Sequence, residues 1–172
     1  MSSKIKGKAW IFGDNLDVDK HLLPWPLLRT VPSTPEALAP YCMTPIDPDF
    51  PKKVKPGDVI VAGKNMGAGH DHHKIQMAMK GCGIGAVIAE SFNWNFFRNA
   101  IHYGLPVIKH PGIKEKVKEG DELDIDIKNG TIKNIRTGEI LNFTPLPDYL
   151  IEMIEAGGLY EELTQQIKEG KI

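Results

Sequence analysis

The chain has 172 residues, of which 41% are apolar, enough to form one domain around a core. Lys and Arg number 21 against 22 Asp and Glu, leaving a net charge of -1; that balance argues against a dedicated nucleic-acid binder, and no run of ~18 apolar residues is present to span a membrane. The charged N-terminal segment lacks the apolar stretch of a secretory signal, and two Cys, at 42 and 82, allow neither a disulfide framework nor the thiolates of an iron–sulfur cluster within this chain. A cytoplasmic protein, one domain over 1–172, is the expectation.

Residues 8–12, KAWIF, read as a first strand that stops at the turn cluster Gly13-Asp14-Asn15. From 13 to 56 regular structure is sparse and eight prolines punctuate the chain between 24 and 51; Ser33-Thr34-Pro35-Glu36 predicts one short helix over 35–41. A connection this long in a compact domain is more often functional than idle.

From Gly57 the pattern becomes β-α-β-α-β. Residues 58–62 form a short apolar strand, 63–69 a glycine-rich loop, and 70–80 a helix with Ile75, Ala78 and Met79 on one face and Gly81 as its cap. Residues 85–90 form a strand apolar throughout, as expected of one buried on both faces. A helix over 93–103 and a strand over 105–108 complete an alternation that predicts a parallel sheet.

Residues 122–127 alternate strictly between polar and apolar, Asn129-Gly130 is a hairpin signal, and 131–135 and 139–143 return as further antiparallel strands. Helices over 146–156 and 159–168 end the chain. No repeat and no break for a second domain are evident.

Four stretches hold candidate chemistry. Gly13-Asp14-Asn15-Leu16-Asp17-Val18-Asp19 sets three carboxylates close together, at 14, 17 and 19, either for a hard cation or to cap local backbone, the plainer alternative. Gly63-Lys64-Asn65-Met66-Gly67-Ala68-Gly69 can bring backbone N–H groups to an anion, or simply join a strand tightly to a helix; without a terminal Gly-Lys-Ser/Thr it is no Walker A loop. His70-Asp71-His72-His73 puts three of six His at a predicted helix start. There the helix dipole disfavours a protonated imidazole, so these are candidates for a base or for metal ligands, with His70 and His73 one turn apart. The alternative is a solvated helix start. In the fourth stretch, Glu90-Ser91-Phe92-Asn93 lies outside the carboxyl end of a strand, where open α/β sheets bind ligands, unless Ser91 or Asn93 is only a cap.

Taken together, these residues resemble the small, swivel-domain subunit of 3-isopropylmalate dehydratase and archaeal homoaconitase, and the fourth domain of aconitase. GDNLDVD at 13–19, VKPGDVIVAGKNMGAG at 54–69, IAESFNWNFFRNAIHYGLPVI at 88–108 and EAGGLYEEL at 155–163 carry the resemblance in order over nearly the whole chain. It implies an α/β swivelling β/β/α domain, with a mixed sheet or barrel and flanking helices. It implies a hydro-lyase, as in leucine biosynthesis, that reversibly dehydrates a small hydroxy-di- or tricarboxylate. It also implies a large-subunit partner, in a heterodimer or heterotetramer, that carries a [4Fe–4S] cluster; no metal is expected on this chain.

One departure alters the site. The family's loop continues Gly-x-Gly-Ser-Ser-Arg-Glu-His, with Ser as the base and Arg on a substrate carboxylate. Here those three positions are His70, Asp71 and His72. His70 and Asp71 are therefore the expected catalytic pair, and Arg29, Thr30, Gly69, His72 and Asp19 the expected substrate contacts. Arg29 belongs to Leu27-Leu28-Arg29-Thr30, which resembles the family's substrate-selecting loop and suits a distal carboxylate. Two alternatives stand beside this reading: a non-catalytic binding or assembly module of the same fold, and a metal site built from His70, His73 and Asp71.

Overall fold

The computed structural model describes residues 3–70 and 72–172. Four strands run parallel: β1 (Lys4–Ile11), β2 (Val59–Ala62), β3 (Ala86–Ala89) and β4 (Val107–Lys109). Three more are antiparallel: β5 (Glu122–Asp126), β6 (Thr131–Asn134) and β7 (Ile140–Asn142). All seven form one mixed, curled sheet in the order β4-β3-β2-β1-β5-β6-β7, as the α/β swivel reading expects.

β1 is the seam between the two halves. Its first part pairs antiparallel with β5, from Lys4 opposite Asp126 to Lys8 opposite Glu122. Its last part pairs parallel with β2, Ala9 opposite Val59 and Ile11 opposite Val61. The strand thus begins four residues earlier than its apolar stretch suggests, because Lys4, Lys6 and Lys8 face outward while the backbone between them completes the ladder. At the junction the buried Asp58 carboxylate accepts from Lys8 N at 3.0 Å, Lys55 N at 2.9 Å and Trp10 Nε1 at 2.9 Å.

Period-two alternation divides the buried residues between two faces. Ile60, Ala62, Val87 and Ala89 face one core, shared with α1 (Pro35–Leu38), α3 (Lys74–Gly81) and α4 (Trp94–His102). Val59, Val61, Ala86 and Ile88 face another, shared with Ile113 of α5 (Ile113–Lys116) and Leu123, Ile125 and Ile132 of the antiparallel half. Burial on both sides is why β2 and β3 read as unbroken apolar runs. Of the helices, α2 (Phe50–Lys53) and α5 were not expected from the sequence; α6 (Asp148–Ala156) and α7 (Leu159–Lys168) fall where it places them. No helix among the described residues is long and apolar enough to cross a membrane.

Two local expectations are corrected. β4 starts at Val107, not at 105, since Pro106 has no N–H for the ladder; its carbonyl accepts instead from Val87 N at 2.9 Å. The β5–β6 hairpin exists, but of Asn129 and Gly130 only the glycine has a positive φ, at 65°, so the connection is not the two-residue type I′ turn. Asp126 organises it by accepting from Asn129 N at 2.9 Å.

Candidate active site

Three loops leave the carboxyl ends of β1, β2 and β3, and the middle one is clamped between the other two. On one side Asp14 Oδ1 accepts from Lys64 N at 3.0 Å, and Leu16 O accepts from both Gly67 N and Ala68 N at 2.9 Å. On the other side Ser91 Oγ accepts from Asn65 N at 2.9 Å and Ser91 O from Met66 N at 2.9 Å. Glycine permits this closeness at two positions. A Cβ on Gly63 would lie 1.7 Å from Asp14 Oδ1, and one on Gly67 would lie 2.3 Å from the Phe96 ring.

This clamp corrects the anion-cradle expectation for most of the loop. The N–H groups of residues 64–68, five in succession, are already paired within the protein. The first amide beyond that run is Gly69, whose backbone turns back at φ 89° beside the Asp17 carboxylate. Ser91 proves to be the loop's anchor, and Asn93 is a helix cap, accepting from Asn95 N at 3.0 Å.

The three carboxylates of GDNLDVD do separate jobs, so the capping alternative holds over the cation loop for the first two. Asp14 binds the Lys64 amide, which lowers its carboxyl below the ordinary range. Asp17 caps a π-helical turn, Val18–Leu22, accepting from Asp19 N at 3.0 Å and Lys20 N at 3.1 Å. Asp19 turns away from both: its Oδ1 lies 3.0 Å from His72 Nε2, and each side chain is less than one quarter exposed. The Trp25 and His72 rings meet edge to face with centroids 5.7 Å apart. His72 Nδ1 is buried with no hydrogen-bond partner among the described residues.

Trp25 opens a 3-10 turn, Trp25–Arg29, which carries Arg29 at its end; Arg29 and Thr30 are exposed. Just beyond them Lys74 Nζ donates to Val31 O at 2.6 Å. The arm from 18 to 31 is therefore held against residues 72–74 through Asp19, Trp25 and Val31. Expected substrate contacts Asp19, His72, Arg29, Thr30 and Gly69 all lie on this arm or the loop end it touches. The sequence reading missed the arm's two turns, the Asp19–His72 contact and the Lys74 anchor. An Asp with backbone N–H groups two and three residues on was the available signal for the first turn.

The histidine cluster is not a helix start. α3 begins at Lys74, with His73 as its cap residue, because the apolar face that holds the helix down begins only at Ile75. The dipole argument for His70 therefore falls, and so does the shared helical face of His70 and His73. His72 is drawn to Asp19, His73 stacks on Tyr103 at 5.8 Å, and His70 is exposed. Asp71 lies outside the described residues. Among those described, no group of three or more His, Cys, Asp or Glu is placed to hold a metal ion.

The chain was compared with known proteins. No protein-family model matches it. It is 50% identical over 171 residues to the isopropylmalate/citramalate isomerase small subunit of Methanocaldococcus jannaschii, covering 99% of this chain and 100% of that one. A 3-isopropylmalate dehydratase small subunit of Pyrobaculum aerophilum is 46% identical over 160 residues, covering 93% of this chain and 97% of its own. The crystal structure of 3-isopropylmalate dehydratase from Methanocaldococcus jannaschii superposes with a TM-score of 0.87 at 41% identity, covering 98% of this chain and 99% of that one.

Proposed function

The chain belongs to the family of 3-isopropylmalate dehydratase small subunits, and we propose that residues 1–172 work as one swivel domain that binds a hydroxy-dicarboxylate and moves its α-proton, in the cytoplasm, beside an iron–sulfur large subunit. The family makes it the small subunit of a hydro-lyase, so the non-catalytic alternative is set aside. Two cysteines cannot supply the ligand set of a [4Fe–4S] cluster. The cluster belongs to the large subunit, and the steps assigned to this chain are binding and proton transfer.

The observation that carries the site assignment is the contact of Asp19 with His72, where the arm bearing Arg29 closes on the end of the glycine loop. Asp19 holds the His72 ring through Nε2 where the arm meets the loop end, at the position of the family's arginine, and the pair fixes that wall of the substrate's approach. Arg29 meets a distal carboxylate, and Thr30 and Gly69 line the same approach. His70, exposed at the loop end, takes the α-proton on a ring nitrogen and returns it in the reverse direction. Asp71 orients that ring. An imidazole needs less activation for this task than a serine hydroxyl.

The test is reconstitution. The purified chain is mixed anaerobically with the large subunit, and dehydration of isopropylmalate-type and citramalate-type substrates is followed. Turnover is expected only with both subunits present, in a heterodimer or heterotetramer. Clear activity of the lone chain would refute the two-subunit reading.

A further inference from the structure

Cys42 and Cys82 lie far apart in sequence and away from the arm's contact with His72, yet they share one backbone carbonyl. Cys42 follows the 3-10 turn Ala39–Tyr41, and its N–H donates to Ala39 O at 3.2 Å. Cys82 caps the carboxyl end of α3, and its Sγ donates to the same Ala39 O at 3.1 Å. Cys82 also packs against the core cluster to which the Cys42 side chain belongs. Gly81 makes the approach possible: a Cβ there would lie 2.1 Å from Pro35 O and 2.9 Å from Ala39 Cβ. The end of α3 therefore presses on α1 and the turn after it.

The two sulfurs differ in access. Cys42 is fully buried. Cys82 is partly exposed and lines a surface cavity of about 340 Å³ with Pro40, Pro48, Pro51 and Lys52. A small reagent can thus reach one thiol and not the other. The neighbouring Cys42 thiol draws the Cys82 thiol below its ordinary range, while Cys82 and burial push Cys42 up. The Ala39 carbonyl opposes the first effect, since it accepts only from a protonated thiol.

We propose that Cys42 and Cys82 form a disulfide-forming pair, a modification site in which Cys82 reacts first and Cys42 resolves. With a low-molecular-weight disulfide as oxidant, the Cys82 thiolate attacks one sulfur of the reagent and expels its first thiolate, leaving a mixed disulfide at Cys82. The Cys42 sulfur then attacks Cys82 Sγ, passing its proton to the second departing thiolate. Two protein thiols become one disulfide, and the reagent becomes two thiols. The bridge closes the segment from 42 to 82, which holds the glycine loop and His70, and fastens the turn after α1 to the end of α3.

The probe is oxidised glutathione, added anaerobically to the purified full chain without denaturant. Intact mass should fall by two hydrogens, both thiols should resist alkylation, and Tm should rise because the unfolded chain is restricted; dithiothreitol should reverse all three. The Cys42→Ala variant should stop at a single glutathione adduct on Cys82, and Cys82→Ala should remain unmodified. A wild-type chain that keeps both thiols alkylatable would overturn the proposal. So would one that accumulates a stable adduct on Cys82 with Cys42 still free, or a bridge that lowers Tm.

Discussion

His72 Nε2 and Asp19 Oδ1 meet at 3.0 Å across 53 positions of sequence, the point at which the chain's first loop touches the loop end that precedes α3. If this pair fixes the wall of the substrate site, His72→Ala should raise KM by about ten- to a hundredfold, since a lost contact to a charged substrate group costs ~1.5–3 kcal/mol. kcat should change less. Asp19→Asn should move KM in the same direction by a smaller factor, because the hydrogen bond survives while the charge does not. Steady-state kinetics of the reconstituted enzyme decide it; an unchanged KM in both variants would remove the pair from the site.

For His70 the expected signature is the opposite. As the proton-transfer group, its replacement by Ala should lower kcat by ~10²–10⁴-fold with a modest effect on KM. Exchange of the substrate's α-hydrogen with solvent deuterium should fall in parallel. Wild-type exchange in His70→Ala would assign the proton to another group.

Arg29 is testable through substrate choice. Arg29→Ala should raise KM by about one to two decades for substrates with a distal carboxylate and leave those without it nearly unaffected. Equal losses for both classes would show that the exposed guanidinium only supports the fold of its turn.

Acid stability should depend on a pair remote from the site. The buried Asp121 accepts from Arg136 through both carboxylate oxygens, from Lys118 N at 2.9 Å and from Asn134 Nδ2 at 2.7 Å. The Arg136 guanidinium, with these N–H groups, holds its carboxyl well below the usual range. A depressed pKa contributes stability above the unfolded value near 3.9 and loses it as pH falls from there toward the native value. Urea unfolding at pH 7 should show Arg136→Ala less stable than wild type, because the buried Asp121 carboxylate loses its guanidinium partner, and the gap should narrow below about pH 4. A gap independent of pH would mean that the pair matters only through packing.

The parts of this fold legible in the sequence are those where burial writes a period. Val59 to Ala62 and Ala86 to Ala89 are apolar at every position because both faces are covered, and Leu123 and Ile125 alternate with charge because one is. The arm had no such pattern. Its turns depend on the Asp17 carboxylate and on prolines rather than on an apolar face, and its position depends on Lys74 reaching Val31 O. The start of α3 was misread for a related reason: His70 to His73 suit a helix end in type but contribute nothing to the stripe of Ile75, Ala78 and Met79. The family resemblance located the site residues; only the structure separates His72, tied to Asp19, from His73, stacked on Tyr103.

The double pairing of β1 also bears on the order in which the protein emerges during synthesis. Its parallel partner β2 and the helices that cover it can be in place while β5 has yet to leave the ribosome, for β1 meets Glu122 to Asp126 more than a hundred positions later. Through that interval the outer side of β1 is a bare strand edge, the kind that recruits neighbouring chains. Lys4, Lys6 and Lys8, exposed along it, put repulsive charge on the nascent edge, and Lys6 later finds Glu122 at 3.2 Å. The alternating lysines that hid this strand from a hydropathy reading thus guard it until its partner arrives.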